Sequence, residues 1–186
     1  MARIALDIDS TLHHYWDLLR RVAMERYGVD LPYEEQRDWG ITALERDALV
    51  HCVEETHSDE NIEAGTPYPG AVEAVRRWHD EGHWIHVTSH RREQCGPATA
   101  RWLDSIGLPF DDLYCSFDKI SRCVELGIDI LIDDSPVNIV RARGAGITPA
   151  TLIHPWNEQL VQDGVIGGRT WEELRERLVP VLVTND

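Results

Sequence analysis

Two carboxylates stand at the end of the first apolar run of the chain. Residues 4–9 read Ile-Ala-Leu-Asp-Ile-Asp, so Asp7 and Asp9 are two positions apart. Residues with this spacing in a β-strand point to the same side, and an apolar interior does not accommodate two unpaired carboxylates. We therefore expect the strand to end here, where a metal ion or a phosphate can meet both side chains.

Further polar side chains follow the later predicted strands, at 84–88, 113–115 and 129–132: Thr88, Ser89, Lys119, Asp133 and Asp134. Ligands bind at the carboxyl ends of the strands in folds that alternate helix and strand. Four carboxylates at one edge cannot all be ionised without a cation, and an oxygen-rich set without histidine favours Mg²⁺. Lys119 and the Thr88 hydroxyl suit the oxygens of a phosphoryl group.

The lysine content of the chain singles out one position. Lys119 is the only lysine among 18 basic residues. A coding bias towards arginine explains the general pattern, but one retained lysine indicates a site where a planar guanidinium does not serve.

The order of the predicted elements indicates an α/β fold. Five strands alternate with helices, which predicts a Rossmann-like parallel sheet with helices on both faces. Residues 13–66 do not follow this alternation and carry helical patterns near 15–27 and 43–55. We predict a core domain of residues 1–12 and 67–186, with 13–66 as a small helical cap inserted after strand 1.

Composition excludes several partners. The formal net charge of −15 disfavours a nucleic-acid polymer. No apolar run is long enough to span a membrane, and the N-terminus lacks the pattern of a signal peptide. Four cysteines without a CxxC spacing are interpreted as reduced thiols of a cytoplasmic protein. A homodimer is left open.

The motifs together resemble those of the haloacid-dehalogenase (HAD) superfamily of phosphohydrolases. The four motifs of that family are matched in order by Asp7-Ile8-Asp9-Ser10-Thr11, Thr88, Lys119 and Asp133-Asp134. The resemblance covers nearly the whole chain, and the predicted cap lies at the first insertion point of the family.

The resemblance implies a role for each motif residue. Asp7 would be the nucleophile that forms an aspartyl-phosphate, and Asp9 the general acid/base, with a backbone carbonyl that also reaches the metal. Thr88 would bind the transferring phosphoryl group, and Lys119 would neutralise charge on Asp7 and on that group. With Asp7 and Asp9, the metal set would include Asp134 as a direct Mg²⁺ ligand and Asp133 as a ligand or as a partner of one.

The second half of the chain is similar to the cytosolic and mitochondrial 5′(3′)-deoxyribonucleotidases. The similarity is carried by the runs Ile132-Asp133-Asp134-Ser135-Pro136, His154-Pro155-Trp156-Asn157 and Thr170-Trp171-Glu172-Glu173-Leu174, with Asn138. It implies hydrolysis of (deoxy)nucleoside monophosphates. Open alternatives are a HAD phosphatase or phosphomutase for another metabolite, such as a sugar phosphate, and a non-enzymatic phospho-acceptor signalling domain.

Candidate substrate contacts lie close to these motifs. They are Thr11, His13, Trp16, Trp39, Ser89 and His90. Trp39 could stack on a nucleobase or belong to the core of the cap. His90 and Arg91 follow Thr88-Ser89 and could meet a phosphate or another anionic group.

Overall fold

The computed structural model describes residues 1–38 and 40–183. A single parallel sheet runs through these residues, with the strand order β3-β2-β1-β4-β5-β6. The strands are β1 Arg3–Leu6, β2 Trp84–Ser89, β3 Asp112–Cys115, β4 Ile130–Ile132, β5 Thr148–Leu152 and β6 Ile166–Gly168. The predicted parallel α/β fold is confirmed, but the predicted number of five strands is wrong, because the sheet has six.

The sixth strand escapes sequence analysis because two of its three residues are glycine. β6 pairs in parallel with β5, with Leu152 opposite Gly168. A Cβ at Gly168 would lie 2.5 Å from the backbone nitrogen of Leu174, and one at Gly167 would lie 2.5 Å from a methyl of Val161. The glycines therefore allow a close approach of neighbouring elements, which is one of the few roles glycine has in a strand.

Helices connect and cover the strands. They are α1 Tyr15–Tyr27, α2 Arg46–Thr56, α3 Asp59–Glu63, α4 Ala71–Asp80, α5 Gly96–Ser105, α6 Lys119–Glu125, α7 Pro136–Gly144, α8 Glu158–Gln162 and α9 Trp171–Val183. Short 3₁₀ turns lie at Tyr33–Glu35 and Glu93–Cys95. Within the described residues, no helix is both long and apolar enough to cross a membrane. All four cysteines are free and buried.

The two faces of the sheet bury separate apolar clusters. Ile4 and Leu6 of β1 pack with residues of α4, α5 and α9, including Trp78, Trp102 and Trp171. Ala5, between them, faces the opposite cluster with Cys123 of α6 and Ala142 of α7. This alternation is the two-residue period of a strand, and it fixes the direction in which Asp7 leaves the sheet.

The segment 13–66 has an apolar cluster of its own. Trp16, Leu19, Val22 and Cys52 are buried there, and Trp156 of the sheet domain joins them. That segment 13–66 acts as a cap stays a prediction.

The strand order itself indicates where a ligand binds. β1 lies between β2 and β4, so the chain runs outward in one direction from β1 to β3 and in the other from β4 to β6. A crevice opens beyond the carboxyl ends of the strands at such a switch point. Asp7 follows β1 and Asp133 follows β4, so both lie at this crevice.

Candidate active site

Lys119 joins two carboxylates from neighbouring strands. Its Nζ donates to Asp7 Oδ1 over 2.5 Å and to Asp133 Oδ2 over 2.8 Å. All three side chains are buried. Lys119 is the first residue of α6, so the short connection after β3 delivers the ammonium to the crevice. Burial lowers the pKa of Lys119, but Asp133 and Asp7 outweigh this and raise it above its usual value.

Asp133 is fixed by donors from its own loop and helix. The backbone N–H of Ser135 donates to Oδ1 over 2.9 Å, and Asn138 Nδ2 lies 3.1 Å from both carboxylate oxygens. Ser135 precedes α7 as predicted, but its side chain makes no capping hydrogen bond. The start of α7 therefore serves to hold Asp133.

Asp134 differs from Asp133 in its hydrogen bonds. Its backbone oxygen accepts from Trp156 Nε1 over 3.2 Å and from Asn157 Nδ2 over 3.1 Å. Its buried carboxylate makes no hydrogen bond to any of the residues that the structure describes. Burial, and then Asp7 and Asp133, raise the pKa of Asp134 well above its usual range.

The three carboxylates fit a divalent cation. One oxygen from each of Asp7, Asp133 and Asp134 lies within 4.8 Å of the others, and all three residues are buried. Burial, together with the charges of Asp133 and Asp9, raises the pKa of Asp7 to about 7, although Lys119 lowers it. One ammonium does not compensate three carboxylates, and an all-oxygen set suits a hard cation.

Asp9 has a separate set of partners. Arg91 Nη2 donates to Oδ1 over 2.6 Å and Nε to Oδ2 over 3.2 Å. His13 Nε2 lies 2.8 Å from Oδ1, and His57 Nε2 lies 3.3 Å from Oδ2. Although burial raises the pKa of Asp9, Arg91 and the two histidines lower it well below its usual range. Asp9 is therefore an ionised carboxylate in this arrangement.

The loop after Asp9 has a backbone conformation that few residues adopt. Ser10 has φ 61°, and no other non-glycine residue in the described ranges has a positive φ. His154 Nε2 lies 2.7 Å from the Ser10 carbonyl, and His154 Nδ1 lies 2.7 Å from the Tyr33 hydroxyl. Burial lowers the pKa of His154 to about 4, so the ring is neutral. Its Nε2–H therefore donates to Ser10, and Nδ1 accepts from Tyr33.

Hydroxyl groups near the end of β2 have no hydrogen-bond partner in the part of the chain that the structure describes. Thr88 Oγ1 and Ser89 Oγ are buried without a hydrogen bond, and so is Thr11 Oγ1. An unsatisfied buried hydroxyl is costly. Thr88 and Ser89 are neighbours in β2 and point to opposite sides of the strand, so one of them, not both, is suited to an acceptor such as a phosphoryl oxygen.

A cavity of about 410 Å³ is lined by Asp7, Lys119 and Asp134. Its volume is within the range of small-molecule sites. Its polar floor is formed by Asp7, Asp9, Ser10, His90, Lys119, Asp133, Asp134, Ser135 and Asn138. Its other wall comes largely from segment 13–66 and is mostly apolar: Tyr15, Trp16, Leu19, Gly40, Ile41, Leu49, Val53 and His57, with Trp156 from the sheet domain.

The candidate substrate contacts fall into three groups. Trp16 and His90 line the cavity. Thr11, His13 and Ser89 are buried and are not among its lining in the part of the chain that the structure describes. Trp39 lies outside the described residues. Substrate contact by any of the six stays a prediction.

Sequence analysis missed several residues of this site. Arg91 was considered as a contact of a phosphate or another anionic group, and in the structure it pairs with the carboxylate of Asp9. His57 approaches Asp9 from the far end of α2, and no sequence signal connects the two. Val53, one turn earlier, shows only a helical apolar pattern, which does not distinguish a cavity wall from a core.

Comparison with known proteins agrees with this geometry. A family model described as "5' nucleotidase, deoxy (Pyrimidine), cytosolic type C protein" matches residues 1–180. A curated protein of Chlorobaculum tepidum, named provisionally as a 5'(3')-deoxyribonucleotidase, is 31% identical over 189 residues, covering 94% of this chain and 89% of that protein.

Solved structures share the fold at lower identity. A HAD family hydrolase from Deinococcus radiodurans R1, with bound phosphate and sodium, has a TM-score of 0.65 at 17% identity and covers 90% of both chains. A HAD hydrolase, family IA, variant 3, from Entamoeba histolytica has a TM-score of 0.66 at 14% identity and covers 96% of this chain and 99% of its own. These likenesses confirm the predicted HAD-like fold. The family match extends over nearly all of the sequence, and the chain therefore belongs to the 5′ nucleotidase, deoxy (pyrimidine), cytosolic type C family and is a phosphoric monoester hydrolase.

Proposed function

We propose that this enzyme is a Mg²⁺-dependent nucleotidase that hydrolyses (deoxy)nucleoside monophosphates through an aspartyl-phosphate on Asp7. The observation that carries the proposal is the Lys119 ammonium between Asp7 and Asp133, at the floor of a cavity that also contains the unpaired carboxylate of Asp134. This arrangement combines a nucleophile, a fixed positive charge and a cation site.

In the first step Asp7 attacks phosphorus. A bond forms between a carboxylate oxygen of Asp7 and phosphorus while the ester bond to the leaving oxygen breaks, and Asp9 gives a proton to that oxygen. Lys119 offsets charge on the phosphoryl oxygens, and the hydroxyl of Thr88, which has no hydrogen-bond partner among the described residues, is suited to donate to them. Because Asp9 is ionised in the arrangement described above, it must take up a proton before this step, and the second step supplies that proton in each later cycle.

In the second step water replaces Asp7. Asp9 takes a proton from the water as its oxygen bonds to phosphorus, and the bond from phosphorus to Asp7 breaks. Inorganic phosphate leaves, and Asp7 is regenerated as a carboxylate. The ionised state of Asp9 supports its role as the base in this step.

The cation would be held by Asp7 and Asp134, with the Asp9 backbone carbonyl as a further ligand. Both oxygens of Asp133 already accept hydrogen bonds. We therefore propose that Asp133 positions Lys119 and binds the first residues of α7, and that it is not a direct ligand of the cation. When bound, Mg²⁺ supplies positive charge that keeps the carboxylates ionised and neutralises the phosphoryl oxygens.

The cavity wall supports a nucleoside as the leaving group. Lys119 is the only lysine or arginine among the described lining residues, and burial lowers the pKa of His90 to about 4, so that ring is neutral. One permanent positive charge suits a single phosphate. The apolar side chains of segment 13–66, which we propose acts as the cap, suit a flat, uncharged base more than a hydroxyl-rich sugar.

A phosphate-release panel tests the function. Deoxynucleoside and nucleoside monophosphates are compared with hexose and pentose phosphates, with Asp7→Asn as the blank and EDTA followed by Mg²⁺ as the metal control. We expect nucleotides to have the highest kcat/KM. Higher values for sugar phosphates would reject the nucleotide assignment, and turnover by Asp7→Asn would reject the mechanism.

The setting of the reaction belongs to the same proposal. The family description names cytosolic proteins, which supports a cytoplasmic location. The net charge of −15 favours a small phosphate ester over a nucleic-acid polymer.

A further inference from the structure

The buried guanidinium beside Asp9 has no part in the reaction described above. We propose that Arg91 is a positioning residue that holds the Asp9 carboxylate for proton transfer. The inference rests on the proposed function, in which Asp9 is the acid/base.

The contact between Arg91 and Asp9 is two-pronged. Nη2 and Nε bind different oxygens of one carboxylate, over 2.6 and 3.2 Å. Such paired bonds fix both the distance and the plane of the carboxylate. A lysine could supply the charge but not the plane.

Arg91 is the rigid member of the pair. Its side chain is 2% exposed, whereas that of Asp9 is 18% exposed and lines the cavity. Arg91 Nη1 donates to the buried hydroxyl of Thr99 in α5 over 3.1 Å. A buried ion pair contributes little net stability compared with apolar packing, but breaking it leaves an unpaired charge. The arrangement therefore favours orientation of Asp9.

Arg91 does not reach the substrate cavity. It is absent from the cavity lining within residues 1–38 and 40–183, and its side chain contacts Asp9, Thr99 and His13. Direct binding of a phosphate would require it to leave these partners. The geometry therefore favours a positioning role for Arg91 over direct binding of a phosphate.

His57 adds a contact from the other part of the chain. It follows the end of α2 and lies 3.3 Å from the Asp9 oxygen that Arg91 Nε also binds. Arg91 follows β2 of the sheet domain. Within the described residues His57 Nε2 makes no hydrogen bond, so the two hydrogen bonds from Arg91 fix Asp9 and His57 only lies beside it.

The chain offers a matched control for Arg91. Arg92 is the next residue, is exposed, and pairs with Glu54 of α2 over 2.5 Å. Arg92→Lys is the same exchange at a neighbouring residue, which contacts segment 13–66 but not Asp9. Thr99→Val removes the hydroxyl that Arg91 contacts without changing Arg91 itself, and it serves as a second, milder variant.

The test compares two aryl esters in stopped-flow and steady-state kinetics. Phenyl phosphate needs a proton on its leaving oxygen, whereas 2,4-dinitrophenyl phosphate does not. In Arg91→Lys we expect kcat for phenyl phosphate to fall about 100-fold with KM little changed. Dinitrophenolate should still appear in a rapid burst of one equivalent per enzyme, followed by slow turnover, because only the hydrolysis of the aspartyl-phosphate then needs Asp9.

The controls separate this pattern from general damage. In Thr99→Val, kcat for phenyl phosphate should fall less than in Arg91→Lys, and the burst with 2,4-dinitrophenyl phosphate should remain. Arg92→Lys should match the wild type with both esters. If Arg91→Lys lowers the rate of ester cleavage equally for both esters, or does not lower it at all, the positioning role is overturned while the proposed function stays intact. A wild-type enzyme that hydrolyses neither the esters nor a nucleoside monophosphate would overturn the proposed function itself, and this inference with it.

Discussion

Lys119 Nζ lies 2.5 Å from Asp7 Oδ1, although 112 residues separate them in the sequence. The contact is buried, and Lys119 shares it with Asp133, which directly follows the neighbouring strand β4. An ammonium in this position holds the carboxylate of Asp7 in place. It also places positive charge where negative charge develops during phosphoryl transfer.

Replacing this lysine by arginine should be far from conservative. We expect Lys119→Arg to lower kcat about 100-fold, because a planar guanidinium cannot fit the space that an ammonium shares with two carboxylates. Phosphate release from a nucleoside monophosphate, with circular dichroism to confirm folding, measures the effect. Arg122→Lys, the reverse exchange on the same helix, should retain full activity. A Lys119→Arg enzyme with near-normal kcat would show that the single lysine reflects composition only.

Mg²⁺ binding should depend on pH in a defined direction. Burial raises the pKa of Asp7 to about 7, and Asp134 is also raised. In the metal-free protein, the protonated carboxyls of Asp7 and Asp134 stabilise the folded state. This contribution to the free energy of unfolding is lost as the pH rises through the Asp7 pKa of about 7. Mg²⁺ binds the ionised forms and offsets that loss, so protons compete with it below this pH.

Thermal unfolding with and without Mg²⁺ measures this competition. The increase in Tm caused by Mg²⁺ should be larger one pH unit above the Asp7 pKa of about 7 than one unit below it. Asp134→Asn should remove most of the increase, whereas Asp163→Asn, which is exposed and remote in sequence, should not. An equal or larger effect at the lower pH would mean that these carboxyls do not hold the ion.

The apolar wall can be tested with two identical substitutions on one helix. Val53 lines the cavity, whereas Val50, one turn earlier on α2, is 45% exposed. We expect Val53→Ala to raise KM for nucleoside monophosphates about fivefold, because two buried methyl groups no longer meet the base. KM for acetyl phosphate, which has no base, should not change.

Val50→Ala is the control and should leave both KM values unchanged. Equal effects of the two substitutions, or an effect of Val53→Ala on acetyl phosphate, would indicate a change in the helix instead of a lost contact with the base.

The catalytic motifs could be predicted because their chemistry is local. Asp7 and Asp133 end apolar runs, so the position of each at a strand end follows from the sequence alone. Parallel strands then bring those ends to one edge, and the structure places Lys119 between them. No detailed packing information is needed for this result.

The environment of Asp9 could not be predicted in the same way. Arg91, His13 and His57 reach Asp9 from three elements, and these contacts depend on how segment 13–66 packs against the sheet. The sixth strand escaped for a related reason, since Gly167 and Gly168 are explained by close neighbours and not by strand propensity.

The aspartyl-phosphate on Asp7 can be observed directly by chemical trapping. Enzyme is mixed with substrate, quenched within one turnover and reduced with borohydride, which converts an acyl-phosphate on aspartate into homoserine. Peptide mass spectrometry should find homoserine at position 7, in proportion to the phosphoenzyme formed, and none when substrate is omitted. Homoserine at the position of Asp9, Asp133 or Asp134, or none at all while phosphate is released at the normal rate, would contradict the assignment of Asp7 as the nucleophile.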